Sequence, residues 1–362
     1  MAQDTLTGIE RVSRFLKRAP MDRIPVFEHV NDDPGRHWRS EGRLPDGDPG
    51  GHFDFDIAET GGVWAVADLD FKEQVLNEDS ETVTTLDGNG AAFTRHKTNG
   101  GAPYAVDFAV RSRRDWEERV KPKLIRFDAR RINPGWYSHE LEAAHAAGRF
   151  FTITDHFVFD RLHPLVGYRT LFTAMHDDPA WVRDMANTYC ELNIIHLEEL
   201  VARAGRPDGF CIYEDMGFIG HSFISPEAYL EFFQPAQKRF ISWAHGLGYP
   251  VIIHSSGNVE SLLPHMLETG MDCLQTLHRK AGMDVVKLYR QYGDRLSFLG
   301  GIDARELATN DRARIDAELT RVVPLLKQGN GYCLHSDFCV PAAMEYEALV
   351  YFLERVKELG RY

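Results

Sequence analysis

The period of apolar and polar positions changes along this chain. Apolar side chains at Ile9, Val12, Phe15 and Leu16 have the spacing of one helical face. Residues 24–30, IPVFEHV, form a short apolar run that reads as a buried strand, followed by a Gly-, Pro- and Asp-rich stretch from Asn31 to Gly51. Residues 52–110 alternate short β-type runs with turn signals such as Asp87-Gly88-Asn89-Gly90 and Asn99-Gly100-Gly101. Residues 31–125 therefore read as an irregular, hairpin-rich insertion or cap and not as a separate domain. A helical pattern starts at Asp115, and Pro122 is expected to stop it.

From about residue 138 the pattern is regular. Strands are expected at 150–155, 209–215, 250–256, 272–277, 296–303 and 332–337. Helices are expected at 138–148, 179–204, 226–246, 261–270, 284–292, 311–327 and 346–359. Six strand–helix units in series, with strands that are continuously apolar, call for a parallel sheet covered on both faces. The strand at 24–30 and one more from the first third bring the count to eight. A (β/α)8 TIM barrel, one domain over residues 1–362, fits best, with an open doubly wound sheet as the alternative. No glycine-rich phosphate loop follows any strand, which weighs against that alternative and against a nucleotide cofactor.

Barrel enzymes carry their chemistry at the C-terminal ends of the strands. Those ends read Asp155-His156, Tyr213-Glu214-Asp215, His254-Ser255-Ser256, His278, Asp303 and His335-Ser336-Asp337. Singly, each has an ordinary explanation in a loop hydrogen bond or a helix cap, and Asp155 and Asp303 are the two expected to cap. Converging on one rim, they define a pocket. Glu214 and Asp215 are adjacent on an extended strand, so one is expected to face the lumen while the other braces a neighbour. His254, His278, His335 and Cys339 offer nitrogen and sulfur donors to a tetrahedral metal, although their spacings form no metal motif and a neutral histidine cluster is the alternative. There is no GxSxG elbow, which argues against acyl hydrolysis. The segment 155–168 is expected to leave its strand as a long loop, serving as lid, pocket wall or core.

Composition narrows the partners. There are 41 Lys+Arg against 54 Asp+Glu, a net charge of −13 with no basic block, so nucleic acid and anionic membrane surfaces are disfavoured. No apolar run approaches the roughly 18 residues of a membrane span, and the charged N-terminus lacks the apolar stretch of a signal peptide. The five cysteines, Cys190, Cys211, Cys273, Cys333 and Cys339, are an odd number without a CxxC pair, so they form no disulfide framework and a cytoplasmic location is expected.

The stretch from EDMGFIGHS at 214 through HSSGN at 254–258 to GMD at 272, with LGGID (299–303), SDFCVP (336–341) and the opening RFLKRAPMDRIPVFEH (14–29), resembles the uroporphyrinogen decarboxylase superfamily. The resemblance implies a (β/α)8 barrel of one of two kinds. One is a cofactor-free decarboxylase, typically a homodimer. The other is a zinc methyltransferase that exchanges methyl groups with a corrinoid protein or a thiol. Decarboxylases of this kind grip their substrate's carboxylates with an RQAGRY-like motif. Here residues 28–42 hold Arg36 and Arg39 without that motif, and a rim of acids and histidines disfavours uroporphyrinogen itself.

HSSGN and GGID are closer to the methyltransferase branch, whose pattern is H-x-C-G-N. The resemblance makes His254 the first zinc ligand and places Ser256 where a cysteine ligand belongs, while Cys339 is one position from the expected last ligand. An altered metal set of His254, His278 and Cys339 or His335 is what it implies. The expected function is that of a methyltransferase or demethylase moving a methyl group from a small O- or N-methylated substrate to a corrinoid-protein partner. Glu214 or Asp215 would be the general acid or orienting base, and His254, alone or with zinc, would polarise the leaving heteroatom. Asn258, His335 and Asp337 would orient the substrate, with His156, Tyr213 and Phe338 as pocket wall. Two alternatives stand beside this. One is a metal-free decarboxylase of a tetrapyrrole or a smaller carboxylate, using Asp215 or His335. The other is a barrel that binds a corrinoid or methylated ligand without turnover.

Overall fold

The computed structural model describes residues 4–98 and 103–362; the expected turn at Asn99-Gly100-Gly101 lies outside them. Seven parallel strands form one curled sheet in the order β1 (Ile57–Thr60), β6 (Phe150–His156), β7 (Gly209–Tyr213), β8 (Val251–Ser255), β9 (Cys273–Thr276), β10 (Ser297–Gly300) and β11 (Tyr332–Cys333). Every residue of β8, β9 and β10 is buried, which is why apolar residues run consecutively there (Val251–Ile253, Cys273–Leu274, Phe298–Leu299) and do not alternate with polar ones. The intervening helices include the expected one at Pro179–Ala204, whose C-terminus is followed by Gly205 at positive φ.

The segment at 24–28 is hydrogen-bonded to both edges of this sheet. Phe27 N–H donates to the Leu334 carbonyl (3.0 Å), Leu334 N–H to that of Pro25 (2.9 Å), and Asp56 N–H to that of Val26 (2.8 Å). Pro25 has no N–H to give, so the pairing there is a single parallel bridge, Val26 to Leu334, and not a regular strand. A buried ion network anchors the segment. The Asp56 carboxylate accepts from Val26 N–H and pairs with both Arg11 and Arg23, themselves buried.

Within the stretch read as an insertion, β2 (Gln74–Glu78), β3 (Thr82–Leu86), β4 (Ala91–His96) and β5 (Tyr104–Phe108) form a separate antiparallel sheet in sequence order. Two local expectations fail. Pro122 does not stop its helix: a wide, π-type turn at Trp116–Val120 lets the chain continue helically over Lys121–Leu124. The segment after β6 is no long loop but a helix, Val158–Val166, whose Phe159, Asp160 and Leu162 are buried. Its polar members disguised an amphipathic face, and one of them, Asp160, becomes part of the site.

Candidate functional site

The C-terminal ends of the strands bring acids and imidazoles together in two connected groups. The first joins residues more than 300 positions apart. His29, just past the 24–28 segment, has Nε2 2.9 Å from Glu59 Oε2 at the end of β1, and Nδ1 2.9 Å from Nε2 of His335 beyond β11. His335 Nδ1 meets the Ser336 carbonyl, so it carries a hydrogen and its Nε2 is an acceptor. His29 therefore donates from Nδ1, and its other nitrogen, facing a carboxylate, is protonated too. Burial opposes that charge, but the Glu59 carboxylate outweighs it and raises the His29 pKa. His335, fully buried beside this cation, is lowered well below the ordinary histidine value and is neutral. Behind it Glu28, buried and pushed up to about 8 by desolvation, accepts from Ser336 N–H and Oγ–H.

The second group centres on β7 and β8. The Tyr213 ring stacks on His254 with centroids 3.8 Å apart, and its hydroxyl lies 3.4 Å from His29 Nε2, linking the groups. His254 Nε2 is 3.3 Å from Ser256 Oγ and 3.7 Å from Asp215 Oδ1. Its Nδ1 is buried without a hydrogen-bond partner among the described residues, and burial, helped by the His29 charge, pulls its pKa to about 3, so this imidazole is neutral. The Asp215 carboxylate is 39% exposed and accepts from Ser256 N–H (2.6 Å); desolvation and the Asp160 charge raise its pKa to about 6. Asp160, from the helix after β6, accepts from Asp215 N–H (2.9 Å) and pairs with His156 (3.0 Å) and more loosely with His163. Burial alone would raise it, but those two histidines hold it below the ordinary carboxylate range. The loops after β7 and β8 come this close because Gly217 and Gly257 cross backbone to backbone, where a Cβ on either would collide with the other loop.

Other residues singled out from the sequence lie elsewhere around the rim. Glu214 is fully buried behind the mouth, accepting from Phe159 N–H (2.6 Å) and Gln237 Nε2 (3.1 Å), and burial pushes it up to about 8. Asn258 and Asp337 tie loops: Asn258 donates to the Ala281 carbonyl and accepts from Glu260 N–H, while Asp337 accepts from the N–H groups of Arg279 and Ala304. His278 stacks on the half-exposed Phe338. Asp303 caps its helix as expected, whereas Asp155 caps none and accepts from the N–H groups of Gly62 and Val63.

The residues present do not fit zinc. Ser256 offers a hydroxyl beside His254, and Cys339 Sγ accepts from Asn31 Nδ2 with its thiol pushed up to about 11 by burial. Among the described residues no three His, Cys, Asp or Glu side chains are grouped to hold a metal ion. Arg36 and Arg39 do not reach the mouth as a carboxylate clamp: Arg36 pairs with Asp32 and Asp33 on its own helix, and Arg39 donates to the Pro45 and Gly47 carbonyls.

Sequence reasoning missed Glu28, His29, Glu59 and Asp160. A signal exists for the first three, since IPVFEH and IAET end in the same apolar-to-polar switch as the six later strands. Asp160 had none, because its place depends on the helix after β6.

Among the described residues, no helix is long and apolar enough to cross a membrane. Over residues 162–359 the chain matches the family model for uroporphyrinogen decarboxylase (URO-D). It is 35% identical over 92 residues to a methylated-thiol–coenzyme M methyltransferase of Methanosarcina mazei, a match covering 25% of this chain and 22% of that protein's length. A solved methyltransferase structure from Methanosarcina mazei shares the fold with a TM-score of 0.68 over 98% of both chains, at 15% identity. With more than half its length matched by the family model, the chain belongs to the uroporphyrinogen decarboxylase family.

Proposed function

We propose that this protein is a methyltransferase that takes a methyl group from a small O- or N-methylated compound and passes it to the corrinoid of a partner protein. The observation that carries the reading is Asp215. It is the accessible acid at the mouth, oriented by Ser256 N–H beside the neutral His254, with a pKa raised to about 6. Breaking a methyl–oxygen or methyl–nitrogen bond leaves an electron pair on a poor leaving group, and an acid poised near neutrality can protonate it there. The methyl group departs toward the acceptor, which supplies the electron pair for the new bond, while the proton moves from Asp215 Oδ to the leaving atom. In the tautomer protonated on Nε2, His254 would donate a hydrogen bond to the leaving atom, and the stacked Tyr213 fixes its plane. The His29 cation, both nitrogens held by Glu59 and His335, acts on the substrate through its positive field, with the Tyr213 hydroxyl 3.4 Å from its Nε2 as the group that meets a substrate oxygen. No step runs through a metal.

In this reading the 24–28 segment, beside β1, completes a closed (β/α)8 barrel, the antiparallel sheet β2–β5 caps its mouth, and the assembly is a homodimer in the cytoplasm. The test is anaerobic turnover of methoxyarenes and methylated amines with chemically reduced free cobalamin as acceptor, following its absorbance and the demethylated product. Product from the wild type and at least a hundredfold less from Asp215→Asn is expected. Absence of methyl transfer together with saturable CO2 release from a small carboxylic acid would replace this reading with the decarboxylase.

A further inference from the structure

Outside the barrel, against the ends of β1 and β6, lies a cleft of about 510 Å³. Side-chain alternation separates it from the mouth. Thr154 donates to Glu59, so both face the lumen, while their strand neighbours Asp155 and Thr60 face the other way and line the cleft. Trp136 crosses to the same wall, donating from Nε1 to Thr60 Oγ1 (3.3 Å).

The lining is aromatic and cationic. Trp64 is 69% exposed and Trp136 57%, two large indoles in water within one concavity, where an ordinary surface keeps such rings apart. Among the described residues, Arg161 is engaged only through Nε, to the His156 carbonyl (3.0 Å), which leaves both terminal nitrogens to the cleft. Arg131 is buried, its terminal nitrogens spread over the carbonyls of Trp64, Val66, Ala67 and Lys123, and its Nε has no partner among the described residues. Among the described residues, neither arginine meets a carboxylate at ion-pair distance. Arg130, also on the wall, is paired with Asp70 and Asp128. Asp155 is the one acid among the described residues of the lining, and both its oxygens are turned to the N–H groups of Gly62 and Val63. In a chain of net charge −13 this is a locally positive cleft.

We infer that this cleft is a second binding site, one for a planar aromatic carboxylate. Its carboxylate sits on the Arg161 guanidinium, which presents paired donors to it, and its ring lies against the indoles. The buried Arg131 adds attraction for an anion that water screens poorly. This goes beyond the proposed methyl transfer and does not depend on it.

The test is titration of the full-length protein with 2-naphthoate, read by quenching of tryptophan fluorescence, with 2-naphthamide as the uncharged counterpart of the same shape. Saturable quenching by naphthoate is expected, at least tenfold weaker for naphthamide and at least tenfold weaker in Arg161→Ala. Trp64→Ala, at an exposed position that leaves the core untouched, is expected to weaken naphthoate several-fold and keeps the test usable if Arg161→Ala misfolds. Equal binding of naphthamide, wild-type titrations in both variants, or no saturation at millimolar naphthoate would overturn the assignment. Loss of naphthoate binding in Asp215→Asn would place the probe in the mouth and overturn it as well.

Discussion

Replacing Glu214 by Gln is expected to stabilise the protein, by an amount that grows with pH. The carboxyl is fully buried and raised from 4.5 to about 8, first by desolvation and then by the Asp160 charge. A carboxyl whose pKa is higher in the folded than in the unfolded chain binds its proton more tightly when folded. Stability from this group is therefore complete below the unfolded value and drains away as pH rises from 4.5 towards 8. At about 1.4 kcal/mol per pKa unit, the loss is about 3 kcal/mol at pH 7 and about 5 kcal/mol above pH 8. An amide has no charge to desolvate and can keep the hydrogen bonds of the protonated acid. Its oxygen accepts from Phe159 N–H, and its NH2 meets Gln237 once that amide turns over, with the Tyr229 hydroxyl changing from donor to acceptor. Urea unfolding of wild type and Glu214→Gln at pH 5, 7 and 8.5 checks this. The gain should be under about 1 kcal/mol at pH 5 and should rise with pH as the linkage requires. Equal stabilities at pH 7, or a difference independent of pH, would mean that Phe159 and Gln237 sustain an ionised Glu214 and that burial does not govern it.

Further outcomes follow from the same geometry. Asp56→Ala leaves Arg11 and Arg23 buried without their shared counter-charge, and a loss of about 3–5 kcal/mol is expected in urea unfolding; a loss under about 1 kcal/mol would show that the network is not what ties segment 24–28 to the sheet. By 15N NMR, His29 should remain protonated on both nitrogens at pH 7 and His335 neutral, and Glu59→Gln should lower the His29 pKa; a neutral His29 in the wild type would refute the hydrogen-bond assignment. With Asp215 as general acid, methyl-transfer kcat should fall about tenfold per pH unit above pH 6, and a nitrophenyl leaving group should flatten that limb; a flat profile for a poor leaving group would remove Asp215 from the proton transfer. Protein purified without chelators should hold zinc only substoichiometrically, and EDTA should leave Tm unchanged; stoichiometric zinc lost in His254→Ala would contradict the donor geometry.

The sequence by itself determined what depends on neighbours along the chain. Period, turn residues and caps located six of the seven parallel strands and most helices to within a few residues, and the apolar-to-polar switch at strand ends pointed to the rim where His156, Tyr213, Asp215, His254 and His335 lie. Parity likewise required that Glu214 and Asp215 face apart. Which of the two faces the mouth is decided by the register of β7 in a curled sheet, and only the fold supplies it. The same holds wherever partners are distant in sequence. Glu59, His29 and His335 form one chain of hydrogen bonds because opposite edges of the sheet meet across the 24–28 segment, and no local pattern records a pairing between residues 29 and 335. The protonation states follow from that meeting: the adjacent imidazoles of His29 and His335 are driven in opposite directions by burial and by one carboxylate, so tertiary structure, and not residue type, decides which of them carries the charge.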